Sequence, residues 1–159
     1  MRYVLAGFDG SERSRVAVVH AAQVAERCCA RLHVLMVAGL PSTGMDIAVG
    51  DDVIEECIAA VTGQLLTLSS ELALKDAQYT FRIGEPAREI VRYAREFDVR
   101  HVVLGRPRAV VPRIMSTAWR VERLLAGTGC EVMIVTGQTT LSAGRVLTPE
   151  LSARRGNIR

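Results

Sequence analysis

The chain has 159 residues, 49% of them apolar and 23% charged, which is the size and composition of one globular domain with its own core and leaves no room for two. No run of eighteen apolar residues occurs, and Met1-Arg2-Tyr3-Val4-Leu5 does not read as an export signal, so neither a membrane span nor secretion is expected. Cys28, Cys29, Cys57 and Cys130 show no CxxC spacing, which argues against a disulfide framework or a zinc site and fits reduced thiols in a cytoplasm.

Tyr3-Val4-Leu5-Ala6-Gly7-Phe8 is a short, mostly apolar run closed by Asp9-Gly10-Ser11, the pattern of a strand buried on both faces. From Ser11 to about Ala30 the chain lacks Gly and Pro, and Ala17, Ala21, Val24, Ala25 and Cys28 recur at helical spacing behind a serine suited to capping. Leu32 to Val37 reads as the second strand, and the glycine-bearing stretch from Ala38 to Gly50 as a loop. Asp51 and Asp52 then open a long helix with Ile54, Cys57, Ile58, Val61, Leu65, Leu68 and Leu72 on one face.

Gln78 to Ile83 is a third strand that stops at Gly84-Glu85-Pro86, where the proline suits the first turn of a helix burying Ile90, Val91, Ala94 and Phe97. His101 to Leu104 makes a fourth strand ending at Gly105, a fourth helix is expected from near Arg113 to Ala126, and Glu131 to Val135 closes as a fifth strand. Residues 1–136 thus form one domain, and the segment 137–159, rich in Thr, Ser, Gly and Arg, is expected to be a disordered basic tail.

Strands alternating with helices predict an α/β fold: an open five-stranded parallel sheet, order 3-2-1-4-5, with helices on both faces. Such sheets take ligands at the carboxyl ends of the strands where the order reverses, here between the loops that start at Asp9 and Gly105. The charge pattern points to the same place. Arg145, Arg154, Arg155 and Arg159 against Glu150 account for the whole net charge of +3, so the body is neutral, yet Arg100, Arg106, Arg108, Arg113, Arg120 and Arg123 face Glu122 alone within it. A cationic stretch after Gly105 is either a solvated surface or an anion site, and its position at the crevice favours the second.

The stretch Phe8-Asp9-Gly10-Ser11-Glu12-Arg13-Ser14 resembles the Asp-Gly-Ser signature of the universal stress protein family. Gly84-Glu85-Pro86 and Asp98-Val99-Arg100-His101-Val102-Val103-Leu104-Gly105 are similar to that family's Gly-x-Pro turn and to its strand leading into the ligand loop, and the likeness spans residues 3 to 136. It implies a Rossmann-like, five-stranded fold of the adenine nucleotide alpha hydrolase type, a homodimer, and either an ATP-binding or a non-binding branch. The ATP-binding branch carries a loop of Gly, two residues, Gly, nine residues, then Gly followed by Ser or Thr, whose glycines let backbone N–H groups reach phosphates. Here Gly105 stands alone, with Arg108 in the second glycine's place and Ala118 and Trp119 where Gly-Ser would fall.

The loop Gly105-Arg106-Pro107-Arg108 and the later Val121-Glu122-Arg123-Leu124-Leu125 are also similar to the universal-stress domain of potassium-uptake sensor kinases. The second resemblance implies a receptor or interaction domain rather than an enzyme, and the reading adopted on the residues themselves is a non-enzymatic stress-response protein with a degenerate nucleotide pocket that takes an anionic ligand, with Asp9, Val37, Gly105, Arg106, Arg108, Arg113, Ala118 and Trp119 as its candidate residues. Guanidinium groups bind phosphate or carboxylate bidentately and hold their charge, so Arg106, Arg108 and Arg113 can stand in for the missing glycine cradle. Two other readings stay open: an ATP binder with weak ATPase activity, and a pure protein-interaction module whose pocket Trp119 closes.

His20, His33 and His101 are too scattered for a metal cluster and read as packing or surface residues. Ser11 and Ser14 lack a Gly-x-Ser-x-Gly elbow, and Cys28-Cys29 reads first as small helix-packing residues, second as a redox-sensitive pair. With 4% aromatic residues and no helix-turn-helix, nucleic acid is not an expected partner. The apolar edge strand Val132-Met133-Ile134-Val135 is the expected dimer contact, by antiparallel pairing with a second copy.

Overall fold

The computed structural model describes residues 2–39, 50–74, 76–107, 112 and 115–136. In chain order these form β1 (Tyr3–Phe8), α1 (Glu12–Arg27), β2 (Arg31–Ala38), α2 (Asp51–Leu72), β3 (Gln78–Ile83), α3 (Pro86–Glu96), β4 (His101–Gly105), α4 (Thr117–Leu125) and β5 (Glu131–Val135). All pairings are parallel, as the alternation of strands and helices leads one to expect, and the order is the expected β3-β2-β1-β4-β5.

The central strand β1 has no polar side chain between Val4 and Phe8 because both of its faces are covered. Val4 and Ala6 pack with Ala17, Ala21 and Val24 of α1 and with Val61, Leu65 and Leu68 of α2 on one face. Leu5 packs with Ile90, Val91 and Ala94 of α3 and with Val121 and Leu125 of α4 on the other. Alternate residues of one strand therefore feed two separate cores.

The helix starts follow their capping residues. The Ser11 hydroxyl accepts from the Ser14 N–H, the Glu85 carboxylate accepts from the Ala87 and Arg88 N–H groups ahead of Pro86, and the Ser116 hydroxyl accepts from the Trp119 N–H. The fourth helix accordingly opens at Thr117, later than the Arg113 start that the periodicity suggested, because Ser116 is the residue in extended conformation with a cap to offer. Along the apolar face of α2, Val61, Leu65 and Leu68 are buried while Ile54, Cys57, Ile58 and Leu72 are half-buried, since the helix packs over β2 and β3 at the edge of the sheet. One further expectation is corrected. Phe97 is also half-buried, at the C-cap of α3, where it packs against Tyr3, His33 and Tyr93.

The expected loop from Ala38 to Gly50 lies largely outside the described residues, and the tail 137–159 entirely so. Among the described residues no helix is long and apolar enough to cross a membrane.

Candidate functional site

The reversal of strand order between β1 and β4 leaves a crevice at the carboxyl ends of the strands. It is occupied by a cavity of about 680 Å³ whose walls come from the β1–α1 turn, the end of β2, the start of α3, the residues after β4 and the start of α4. That volume is in the range that holds a small organic ligand or a nucleotide.

The β1–α1 turn is built around Asp9. Gly10 has a φ of +83°, in the left-handed region, so the turn needs glycine for its backbone, and the end of the Gln64 side chain lies against it. The turn brings the Ser11 hydroxyl 2.5 Å from Asp9 Oδ1 and the Ser11 N–H 3.0 Å from the same oxygen, both donating. The Ser14 hydroxyl donates to the Ser11 carbonyl at 2.8 Å and accepts from the Asp9 N–H at 3.2 Å. Burial by itself pushes the Asp9 carboxyl up, but the Ser11 and Ser14 hydrogen bonds outweigh it and leave the group below its ordinary range. Asp9 is thus a fixed anion at the cavity mouth.

Facing it is the end of β4. A Cβ on Gly105 would sit 2.7 Å from the Arg13 carbonyl oxygen and 2.9 Å from the Ser14 nitrogen, so only glycine lets the strand end lie against the first turn of α1. The Arg106 N–H donates to the Val135 carbonyl at 3.0 Å and ties the following residues to β5. Arg13 and Arg106 are both exposed cavity-wall residues, and neither pairs with a carboxylate among the described residues.

Of the residues singled out in the sequence, Asp9, Val37, Gly105, Arg106 and Ala118 lie on this one cavity. Arg108 and Arg113 lie outside the described residues. Trp119 is not on the cavity wall: it follows Ala118 by one residue, about 100° round the helix, and its ring lies 5.4 Å from the Arg123 guanidinium instead. The cationic stretch also divides. Arg100 pairs with Asp98 at 3.4 Å, and Arg120 grips Glu85 in a two-pronged pair at 2.7 and 3.2 Å, fastening α4 to the capped start of α3.

Other wall residues escaped the sequence reading. Arg13 lies in the first turn of α1, close behind Asp9 in the chain, whereas Gln64 comes from the polar side of α2, which an apolar-periodicity reading passes over. Ser116 and Thr117 are the more instructive case. Counting from Gly105 puts Ala118 and Trp119 at the hydroxyl position that opens the helix, but the helix starts two residues earlier and it is Ser116 and Thr117 that present hydroxyls there. The helix N-termini of α1, α3 and α4 all abut the cavity, which gives it positive potential beyond that of its arginines.

The histidines lie elsewhere: His20 and His33 are buried, and among the described residues no three His, Cys, Asp or Glu side chains are grouped to hold a metal ion.

The model of the universal stress protein family matches residues 1–136, and the chain belongs to that family. Solved structures of similar fold include a universal stress protein in complex with cAMP, at 22% identity over 85% of this chain and 97% of that one with a TM-score of 0.66. The universal stress protein from Archaeoglobus fulgidus in complex with dAMP matches at 24% identity over 86% and 98% of the two chains, with a TM-score of 0.54. The universal stress protein UspA from Lactobacillus plantarum matches at 16% identity over 85% and 97%, with a TM-score of 0.62. A search of the curated proteins found no match to the chain.

Proposed function

We propose that this universal stress protein is a non-enzymatic binding and regulatory protein whose carboxyl-end cavity takes a small anionic ligand, best a nucleoside monophosphate. The observation that carries this reading is the placement of Arg13 and Arg106 on the wall of the same cavity as Asp9. The two guanidiniums and the helix N-termini suit one phosphate, and the Asp9 carboxylate suits a ribose hydroxyl. The complexes of similar folds with cAMP and dAMP support the ligand class. Among the described residues no wall side chain is arranged as a nucleophile with its own base, since the Ser11 hydroxyl is committed to Asp9 and to capping α1.

Arg108 and Arg113 belong to the proposal as further phosphate ligands, on the ground of their charge and position after Gly105. The protein is further proposed to pair with a second copy through β5, whose Val132, Met133, Ile134 and Val135 are half-buried on an edge strand. A second reading, ATP binding with slow hydrolysis, draws support from the Ser116 and Thr117 hydroxyls at the start of α4.

Titration calorimetry with cAMP, AMP and ATP–Mg²⁺ separates the readings. The proposal expects the monophosphates to bind, Arg106→Ala to weaken them about tenfold, and ATP to release no phosphate over hours. Silence with every nucleotide overturns it, and steady phosphate release from ATP replaces it with the second reading.

A further inference from the structure

The amino ends of β4 and β5, opposite the cavity, carry a second group of reactive side chains. Cys28 caps the C-terminus of α1, and its Sγ lies 3.9 Å from His101 Nε2. His101 Nδ1 in turn lies 3.4 Å from the Glu131 carboxylate. His101 and Glu131 are register partners across β4 and β5, so the sheet sets the two residues side by side, although Nδ1 makes no hydrogen bond among the described residues and the Glu131 side chain is 62% exposed, while the end of α1 delivers the thiol. We propose that Cys28, His101 and Glu131 form a base-assisted thiol site that exchanges with low-molecular-weight disulfides.

The order of the three groups, thiol to imidazole to carboxylate, is that of an activated nucleophile. The nearby Glu131 carboxylate, which closes on Nδ1 by a side-chain rotation, then holds the proton there and leaves the Nε2 lone pair for the Cys28 proton. In the exchange that proton passes to Nε2 and Sγ attacks one sulfur of the disulfide. A new S–S bond forms as the old one breaks, and the departing thiolate leaves with the bonding pair and takes the proton back from Nε2. The small disulfide is the only oxidant, and the products are a mixed disulfide on Cys28 and one free thiol.

The other charged and titratable groups near this end are Arg27 and His20 on α1, Arg31 opening β2, and Arg100, Asp98 and Cys130 around the starts of β4 and β5. Cys28 is half-buried against the core that α1 covers and the His101 side chain is 27% exposed, so a small disulfide is the reagent suited to the site. The remaining cysteines are internal controls. Cys130 packs against the opposite core and burial pushes its thiol up, Cys29 is exposed, and Cys57 lies half-buried on α2.

The test is the full chain treated with hydroxyethyl disulfide, with adducts located by peptide mass spectrometry across pH 6 to 9. Cys28 is expected to react about tenfold faster than Cys57 or Cys130 at pH 7. His101→Ala should slow Cys28 about tenfold, remove the inflection that the imidazole gives its pH–rate profile, and leave Cys29 unchanged, with added imidazole restoring part of the rate. If His101→Ala fails to fold by circular dichroism, Glu131→Gln replaces it and should slow Cys28 severalfold. A Cys28 rate and pH profile unchanged in the folded variant, or a wild-type Cys28 no faster than Cys57, overturns the proposal.

Discussion

Gly105 and Arg13 touch through their backbones: the last residue of β4 lies so close to the first turn of α1 that the Arg13 carbonyl oxygen occupies the space a Cβ on Gly105 would need, 2.7 Å away. The atoms in the way are main-chain and cannot rotate aside. Gly105→Ala should therefore destabilise the protein by about 1–3 kcal/mol through overpacking, measured as a lower urea midpoint with an unchanged slope. It should also weaken nucleotide binding, because relief of the clash moves Arg13 away from Arg106.

Glu85 has two tasks, capping α3 and holding Arg120, whereas Arg120 has one. Glu85→Ala should cost about 1–2 kcal/mol as a lost cap and pair, and Arg120→Ala less than about 1 kcal/mol as a partly exposed ion pair. Thermal or urea unfolding of both variants checks the order. A larger loss in Arg120→Ala would mean that the clasp between α3 and α4, not the cap, is the main contribution.

His33 is buried beside Tyr93, whose hydroxyl shares a hydrogen bond of 2.9 Å with Nδ1. Burial first, and the Arg31 charge second, hold the imidazole below its ordinary value of 6.5, while burial holds the Tyr93 phenol above its own and keeps it a donor. The unfolded chain then binds more protons than the folded one in the window just under pH 6.5, so stability is full above that value and falls as pH drops through the folded pKa. Urea midpoints should fall less between pH 7 and pH 5 in His33→Gln than in the wild type; His20, shifted the same way by its burial, supplies the part that remains.

The edge of β5 is testable by register. The Glu131 N–H donates to the Arg100 carbonyl, and the Val135 carbonyl accepts from Arg106. By the alternation of a parallel ladder, Val132 and Ile134 direct their N–H and C=O groups to the open side. Val132→Pro removes one outward donor without touching the β4 pairing. Sedimentation should show a concentration-dependent dimer in the wild type and a monomer in the variant; a monomer in both would overturn the proposed pairing.

Most strands are legible as short apolar runs closed by glycine or turn residues, as with Phe8 before Asp9-Gly10 and β4 ending at Gly105, and parallel pairing follows from the alternation of strands and helices. The wall of the cavity was legible only where it coincides with a strand end. Gln64 belongs to a helix distant in the chain, and nothing local marks it as facing Gly10. The start of α4 is set by capping, through the bond from the Trp119 N–H to the Ser116 hydroxyl, which the expected start near Arg113 leaves out of account. The Cys28–His101 contact joins residues 73 apart, across a helix end and a strand start, and only packing reveals it.

The backbone contact at Gly105 also limits how the cavity can adapt. With α1 seated on the strand end, neither can slide to widen the opening, so a bulkier guest cannot be admitted by parting the two. Choice among guests falls to the long, rotatable side chains at the rim, Arg13, Gln64 and Met115. Exchanging those three should retune what the protein recognises while its scaffold stays as it is.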